Sequence, residues 1–392
     1  MMYLKDKGIA LIEEDYRKRI IPDIKKAFVQ ESPGFPPDFL VALAKSGILA
    51  SSGALDDSFL DALLSRPIEE LAAKWHWAGM YLDMGRMVCC YGREREKWKA
   101  ACAKTGHARR PYYREKRREY LDCHHIDALM AEYPLRTVMP QQACGSDREM
   151  LILLKAYEAV FEGWNGCLRR FVKYEMIDAG LKIQVKQAFR LEVCPYCNRQ
   201  YITSFQVSGK QHVTADLDHF YPQSLFPLLA LSLYNLVPVC LVCNRMVKKD
   251  SFGNIWNPYR AGFSDLVHFE VDDPQNVQAL VGNNDEFSLK LKNDAPEGSS
   301  EFEATESTIR FFGLEEIYQS HKQFVRELLH KKHAYNETYL RQLQDIFQKA
   351  GVSMADANLI LYGSEMDKDR IGERILGKLT YDIVGDSRRQ HP

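Results

Sequence analysis

No apolar run in this chain is both long and unbroken. The longest, LFPLLALSLYNLVPVCLV at residues 225–242, is interrupted by two prolines and an asparagine. A membrane helix needs about 20 apolar residues with its backbone bonds intact, so no spanning segment is read here. The opening MMYLKDKGIALIEEDYRKR returns to charge after one short apolar piece, so no secretory leader is expected and a cytoplasmic location is. Neither sign of charge dominates: 52 Lys and Arg stand against 53 Asp and Glu, a net of −1. A global pull toward polyanions is thereby excluded, and any such pull must be local. No internal repeat stands out.

What is present is a globular composition, 46% hydrophobic and 27% charged over 392 residues, too long for one ordinary core. Three regions are expected. Residues 1–188 read as helical, with EEDYRKRIIPDIKKAFVQ kinked or split at its proline. PDFLVALAKSG, LDDSFLDALLS and PIEELAAKWHWAGMYLDMG each read as a helix, and residues 147–174 as a long one. Residues 189–262 change to short strand-like pieces and turns. Residues 263–392 begin with two alternating segments, LVHFEVD and EFSLKLKN, and continue as helices to GERILGKLTYDIVG. One segment, residues 92–120, is strongly basic, with eleven Lys or Arg against four Glu. Its charges are mixed at i,i+4 spacing, as on a solvated helical face, and interleaved with tyrosines, as on a phosphate-contacting arm.

Ten cysteines without a secretion signal point to thiols or metal rather than disulfides. Cys89, Cys90, Cys102, Cys123, Cys144 and Cys167 have no ligand-like spacing and read as plain thiols. Cys194 and Cys197 in CPYC, and Cys240 and Cys243 in CLVC, form two knuckles about forty residues apart. Four soft thiolates suit a closed tetrahedral zinc that holds the segment together. His321, His330 and His333 lie in a helical stretch without accompanying acids or cysteines and are not read as ligands.

Between the knuckles lies TADLDHFYPQS, residues 214–224. The chain there reads strand, loop, strand, then a helix at CNRMVKKD. Asp218 and His219 end the first strand, Asn235 precedes the second and Asn244 opens the helix. A carboxylate and an amide oxygen suit Mg2+ or Mn2+, an imidazole can take a proton from water, and Arg245, Lys248 and Lys249 can hold phosphates. Asp216 alternates with Asp218 and shares its strand face.

DLDHFYPQS and NLVPVCLVCNRMVKK resemble the signatures of the HNH, or ββα-metal, endonucleases of the zinc-knuckle branch, over roughly residues 190–250. The resemblance implies an α+β, mostly α chain with a central ββα-metal core at 189–262, framed by four-cysteine zinc, between helical N-terminal (1–188) and C-terminal (263–392) regions. It implies His219 as general base, Asp218 and Asn244 as ligands of a catalytic Mg2+ or Mn2+, and Asn235 as a brace orienting the histidine. DNA is the expected substrate. An RNA or tRNA nuclease of the same core, or a zinc nucleic-acid-binding or docking module with the site idle, stands beside it. FPLLALSLYNLVPVC, GLEEIYQSHKQFVRELLHKKHAYNETYL and LGKLTYDI more loosely resemble HNH subunits of bacterial anti-phage defence systems of the Septu kind, which implies a regulatory ATPase partner. A homo-oligomer is a further expectation, since one such site cuts one strand.

Overall fold

The computed structural model describes the chain apart from residues 1–3, 5–7, 106–107, 264–265, 273–275, 336, 365 and 390–392. Two residues of the basic segment therefore lie outside the described residues. The described chain is a mostly helical α+β protein with three small antiparallel sheets and a four-cysteine cluster.

Helices build the first half: α1 (Glu13–Glu31), α2 (Pro37–Lys45), α3 (Asp57–Ser65), α4 (Ile68–Lys74), α5 (His76–Thr105), α6 (Arg109–Cys123), α7 (Ile126–Glu132), α8 (Pro140–Ala143), α9 (Asp147–Phe171) and α10 (Ala179–Ala188). Of these α9 is the axis. Met150, Leu153, Leu154, Tyr157, Phe161, Trp164, Leu168 and Phe171 recur at helical spacing and are all buried. Ser146 caps its start by accepting from the Glu149 N–H, and Arg169 and Arg170 sit in its last turn.

Two expectations change here. α1 runs unbroken through Pro22, because Ile20 and Ile24 on either side are locked into the core. The helix expected to end near Gly85 instead breaks at Trp75, and α5 then continues to Thr105. Gly85 does not stop it; a Cβ there would lie 2.5 Å from the Phe226 ring and 2.6 Å from Phe161, so the glycine allows α5 to close on both rings.

The strands are short. β1 (Ser204–Val207) and β2 (Lys210–Val213) form an exposed hairpin whose turn, Ser208 and Gly209, has both φ angles positive. β3 (Asp216–His219) pairs with β4 (Leu236–Val239), Asp218 opposite Val237 and His219 opposite Leu236. The first strand expected between the knuckles, which ends at Asp218 and His219, is thus preceded by a separate strand with a different partner. A π-helix, Val242–Lys248, follows β4 where an ordinary helix was expected. β5 (Val267–Asp272) and β6 (Ser288–Asn293) pair as the two alternating segments. The C-terminal helices are α11 (Val277–Leu280), α12 (Ser300–Phe312), α13 (Leu314–Tyr318), α14 (Lys322–Ala334), α15 (Glu337–Lys349), α16 (Met354–Tyr362) and α17 (Gly377–Arg389).

The loop joining β3 to β4 is core rather than surface, buried almost throughout. Its backbone groups must therefore find partners inside the protein. The Tyr16 hydroxyl of α1 donates to Leu231 O at 2.7 Å, and Asn165 of α9 donates to Leu225 O at 3.1 Å. One continuous buried cluster runs from Leu4 to Val384, through all three expected regions. Among the described residues, no helix is long and apolar enough to cross a membrane.

Candidate metal centre and histidine site

The two knuckles converge. Cys194 and Cys197 flank a tight turn in which the Asn198 N–H donates to Cys194 O at 2.8 Å. Cys240 directly follows β4 and Cys243 lies in the first turn of the π-helix. All four are buried and their sulfurs lie within 4.8 Å of one another. Sulfurs at the corners of a tetrahedron with 2.3 Å bonds to zinc stand about 3.8 Å apart. Cys197 and Cys240 are 3.9 Å apart. The four sulfurs crowd closely enough to shift one another's titration in opposite directions, Cys240 below the ordinary thiol value and Cys243 above it. Four buried sulfurs this close together fit a metal such as zinc.

Successive residues of β3 point to opposite faces. Asp216 and Asp218 meet the π-helix; His219 turns the other way. The His219 ring packs edge-on against Tyr174, centroids 4.7 Å apart, and its Nε2 lies 2.9 Å from Ala230 O. A carbonyl oxygen only accepts, so Nε2 carries the proton and Nδ1 keeps its lone pair in the neutral ring. Burial lowers the His219 pKa below the ordinary imidazole value, partly offset by the Ala230 bond and the Asp218 charge. The ring is thus held neutral and oriented.

Asn235 supports that arrangement. It is fully buried, its Oδ1 accepts from Tyr221 N at 2.7 Å, and its Nδ2 donates to Tyr221 O and Leu229 O at 3.0 Å each. It ties the segment after His219 to the carbonyls beside Ala230.

Asp218 departs from expectation. It is 3% exposed, its Oδ2 accepts from the Tyr196 hydroxyl at 2.6 Å and its Oδ1 from Lys248 Nζ at 3.0 Å. Lys248 is 0% exposed and also donates to His219 O at 2.6 Å. The expectation that Lys248 contacts phosphate is therefore corrected: its ammonium is enclosed as the counter-ion of Asp218. The expected metal pair is corrected too. Both Asp218 oxygens are engaged, and Asn244 bonds not to Asp218 but to Asp216, Nδ2 to Oδ2 at 3.1 Å. As the side chains stand, Asp218 and Asn244 do not fit one hard cation.

Asp216 lies at the rim, gripped by Arg245 through Nε at 2.7 Å and a terminal nitrogen at 3.0 Å. Burial would raise its pKa, but these bonds, that of Asn244 and the charges of Arg245 and Lys186 outweigh it and hold the carboxyl below its usual range. Lys249 is exposed at the end of the π-helix. Three residues near His219 were not legible as functional. Tyr174 faces the ring, Lys182 stands 4.1 Å from the Tyr174 centroid, and Lys186 is half-buried one turn further along α10. Burial lowers the Lys186 pKa, with Lys182 and Arg245 adding to the shift and Asp216 opposing it. The i,i+4 lysines of LKIQVKQ were visible, but nothing in the chain announced that α10 packs on β2 and brings them toward Asp216 and His219. Tyr196, the Asp218 partner, sits inside the first knuckle.

No family model, no curated protein and no solved structure matches this chain.

Proposed function

We propose that the chain is an HNH-type endonuclease that hydrolyses phosphodiester bonds in DNA, with His219 as general base and zinc on Cys194, Cys197, Cys240 and Cys243 as its frame. The observation that carries this reading is the state of His219: neutral, with Nε2 engaged by Ala230 O and Nδ1 left as the acceptor. In the proposed reaction Nδ1 takes the proton of the attacking water. Lys182, Lys186 and Arg245, positive groups around the same rim, hold the phosphate, and Asn235 keeps the loop in register. The resemblance over residues 190–250 also implies Mg2+ or Mn2+. Asp218 is not open to it as its carboxylate stands, so the proton transfer is assigned to the chain's own groups. A role in anti-phage defence beside an ATPase rests on the looser resemblance of the flanking segments; co-purification from the native host that yields no partner, with full activity in the isolated protein, would remove it.

The enclosed Asp218–Lys248 pair favours a second reading, a zinc-framed nucleic-acid-binding module without turnover. Nicking of supercoiled plasmid by the wild type and His219→Ala, each in EDTA, Mg2+ and Mn2+, separates the two. The first reading expects nicking that falls by about 10²–10⁴-fold in the variant with zinc content unchanged, the EDTA, Mg2+ and Mn2+ arms reading whether a divalent cation is required. Equal nicking by both proteins would sink the assignment of His219. Binding without cutting of DNA or RNA would favour the module, and cutting of RNA alone would change the substrate.

A further inference from the structure

The basic segment is only partly a solvated face. Arg95 and Lys99 are one turn apart on α5, and Arg110, Tyr113 and Arg117 share one face of α6. The two helices and the start of α9 line a half-open cleft of about 480 Å3. Arg95, Lys99, Arg109, Arg110 and Arg117 all line it, and the acid among the lining residues is Asp147. Five cations stand against Asp147 in the lining, and Glu96, beside the lining, lies 3.5 Å from Lys99 and 3.9 Å from Arg95, which leaves a net of +3.

Two of those cations are fixed. Arg117 is 3% exposed, donates to Cys144 O through Nε and a terminal nitrogen, and reaches Asp147 Oδ1 at 2.9 Å. Arg95 holds Asp147 Oδ2 at 2.7 Å. One carboxylate thus positions two guanidiniums and neutralises one. Arg109 and Arg110 make no ion pair among the described residues, and both are exposed at the cavity. Like charges converging without counter-ions repel unless an anion sits among them. The positive end of α9 points into the same space.

We propose that this cavity binds a nucleoside di- or triphosphate, its phosphates on Arg109, Arg110 and Lys99 and its base against Tyr113. The volume is that of a small-molecule site, larger than a bare phosphate needs. A nucleic-acid backbone would call for cations strung along an extended face, whereas these five line a single half-open cleft. The pocket stands apart from the histidine site yet on a shared rod: Arg86 of α5 bonds the Tyr221 hydroxyl, and Arg95 lies about 14 Å further along the helix. The proposal does not depend on the nuclease reading.

The test is calorimetric titration of the full chain, at fixed ionic strength, with ATP, inorganic tripolyphosphate, adenosine and a short single-stranded DNA. Arg109→Ala/Arg110→Ala is the variant; both side chains are exposed, and unchanged circular dichroism and zinc content establish that it folds. ATP should bind more tightly than tripolyphosphate, adenosine should not bind, and the double variant should weaken ATP by about a hundredfold, two charge-assisted contacts being lost. Its DNA binding should be unaltered. Absence of ATP binding, or equal binding by the variant, would overturn the proposal. So would tripolyphosphate binding as tightly as ATP, or loss of DNA binding in the variant without any ATP site.

Discussion

At the scale of single residues, the molecule puts its polar groups where a carbonyl needs them. Asn235 makes three hydrogen bonds in a fully buried setting, and Asn235→Ala would strand Tyr221 N and two carbonyls. A loss of about 2–4 kcal/mol is expected in urea unfolding, with activity falling alongside. Lys248→Met alone would leave Asp218 buried and unpaired, at about 3–5 kcal/mol, while Asp218→Asn/Lys248→Met should recover most of that loss in a double-mutant cycle. His124 supplies a pH test. Burial brings its pKa down to about 4. Folding therefore favours the neutral ring; its contribution is complete above about pH 6.5 and is lost as the pH falls through about 4. His124→Gln should flatten the stability profile across that window, and an unchanged profile would refute the burial of this ring. The cysteines and His219 were legible because their spacing is local. Lys248 was not, since a helix-end lysine looks the same whether it faces water or an acid across a strand.

Among the elements, periodicity carried the reading where one face is buried and the other wet. α9 and the β5–β6 pair follow their patterns closely. Two misreadings came where tertiary packing overrode a local stop signal, Pro22 inside α1 and Gly85 inside α5; the third is the reverse, a break at Trp75 in what looked like one helix. The β1–β2 hairpin was missed, although its Ser-Gly turn was a usable signal. α10 matters most for function, since it brings Lys182 and Lys186 to the rim of the histidine site. Lys182→Ala/Lys186→Ala should lower the slope of log affinity for duplex DNA against log salt by about 2, if each lysine neutralises one phosphate. An unchanged slope would remove both from the nucleic-acid surface.

For the whole molecule, the expected three-part division meets a core that does not divide. The buried cluster is continuous, and the segment around the cysteines is held from both sides. Tyr318 of α13 donates to Cys197 O at 2.6 Å, and Tyr16 of α1 to Leu231 O at 2.7 Å. Removing the proposed zinc by Cys240→Ser should therefore loosen more than the knuckles. Metal analysis should fall from one zinc per chain to none, and limited proteolysis should open sites in the first and last thirds as well as the middle. Protein purified without chelators that carries no zinc would count against the frame.

Asn198, directly after the first knuckle, sits in the left-handed region at φ 50°. Its side chain donates to Ile371 O and Arg374 O and accepts from Lys378 N, and its own carbonyl accepts from Leu376 N. Ile371 is 173 residues downstream. A ribosome adding roughly 5–20 residues each second releases that clasp about 10–35 s after the knuckle has emerged. Throughout that interval the cysteines are in the cell and the segment that closes over them is not. The finished site is thus among the last things the chain acquires, and a ribosome that stalls before residue 371 leaves a nascent chain whose knuckle is still unclasped.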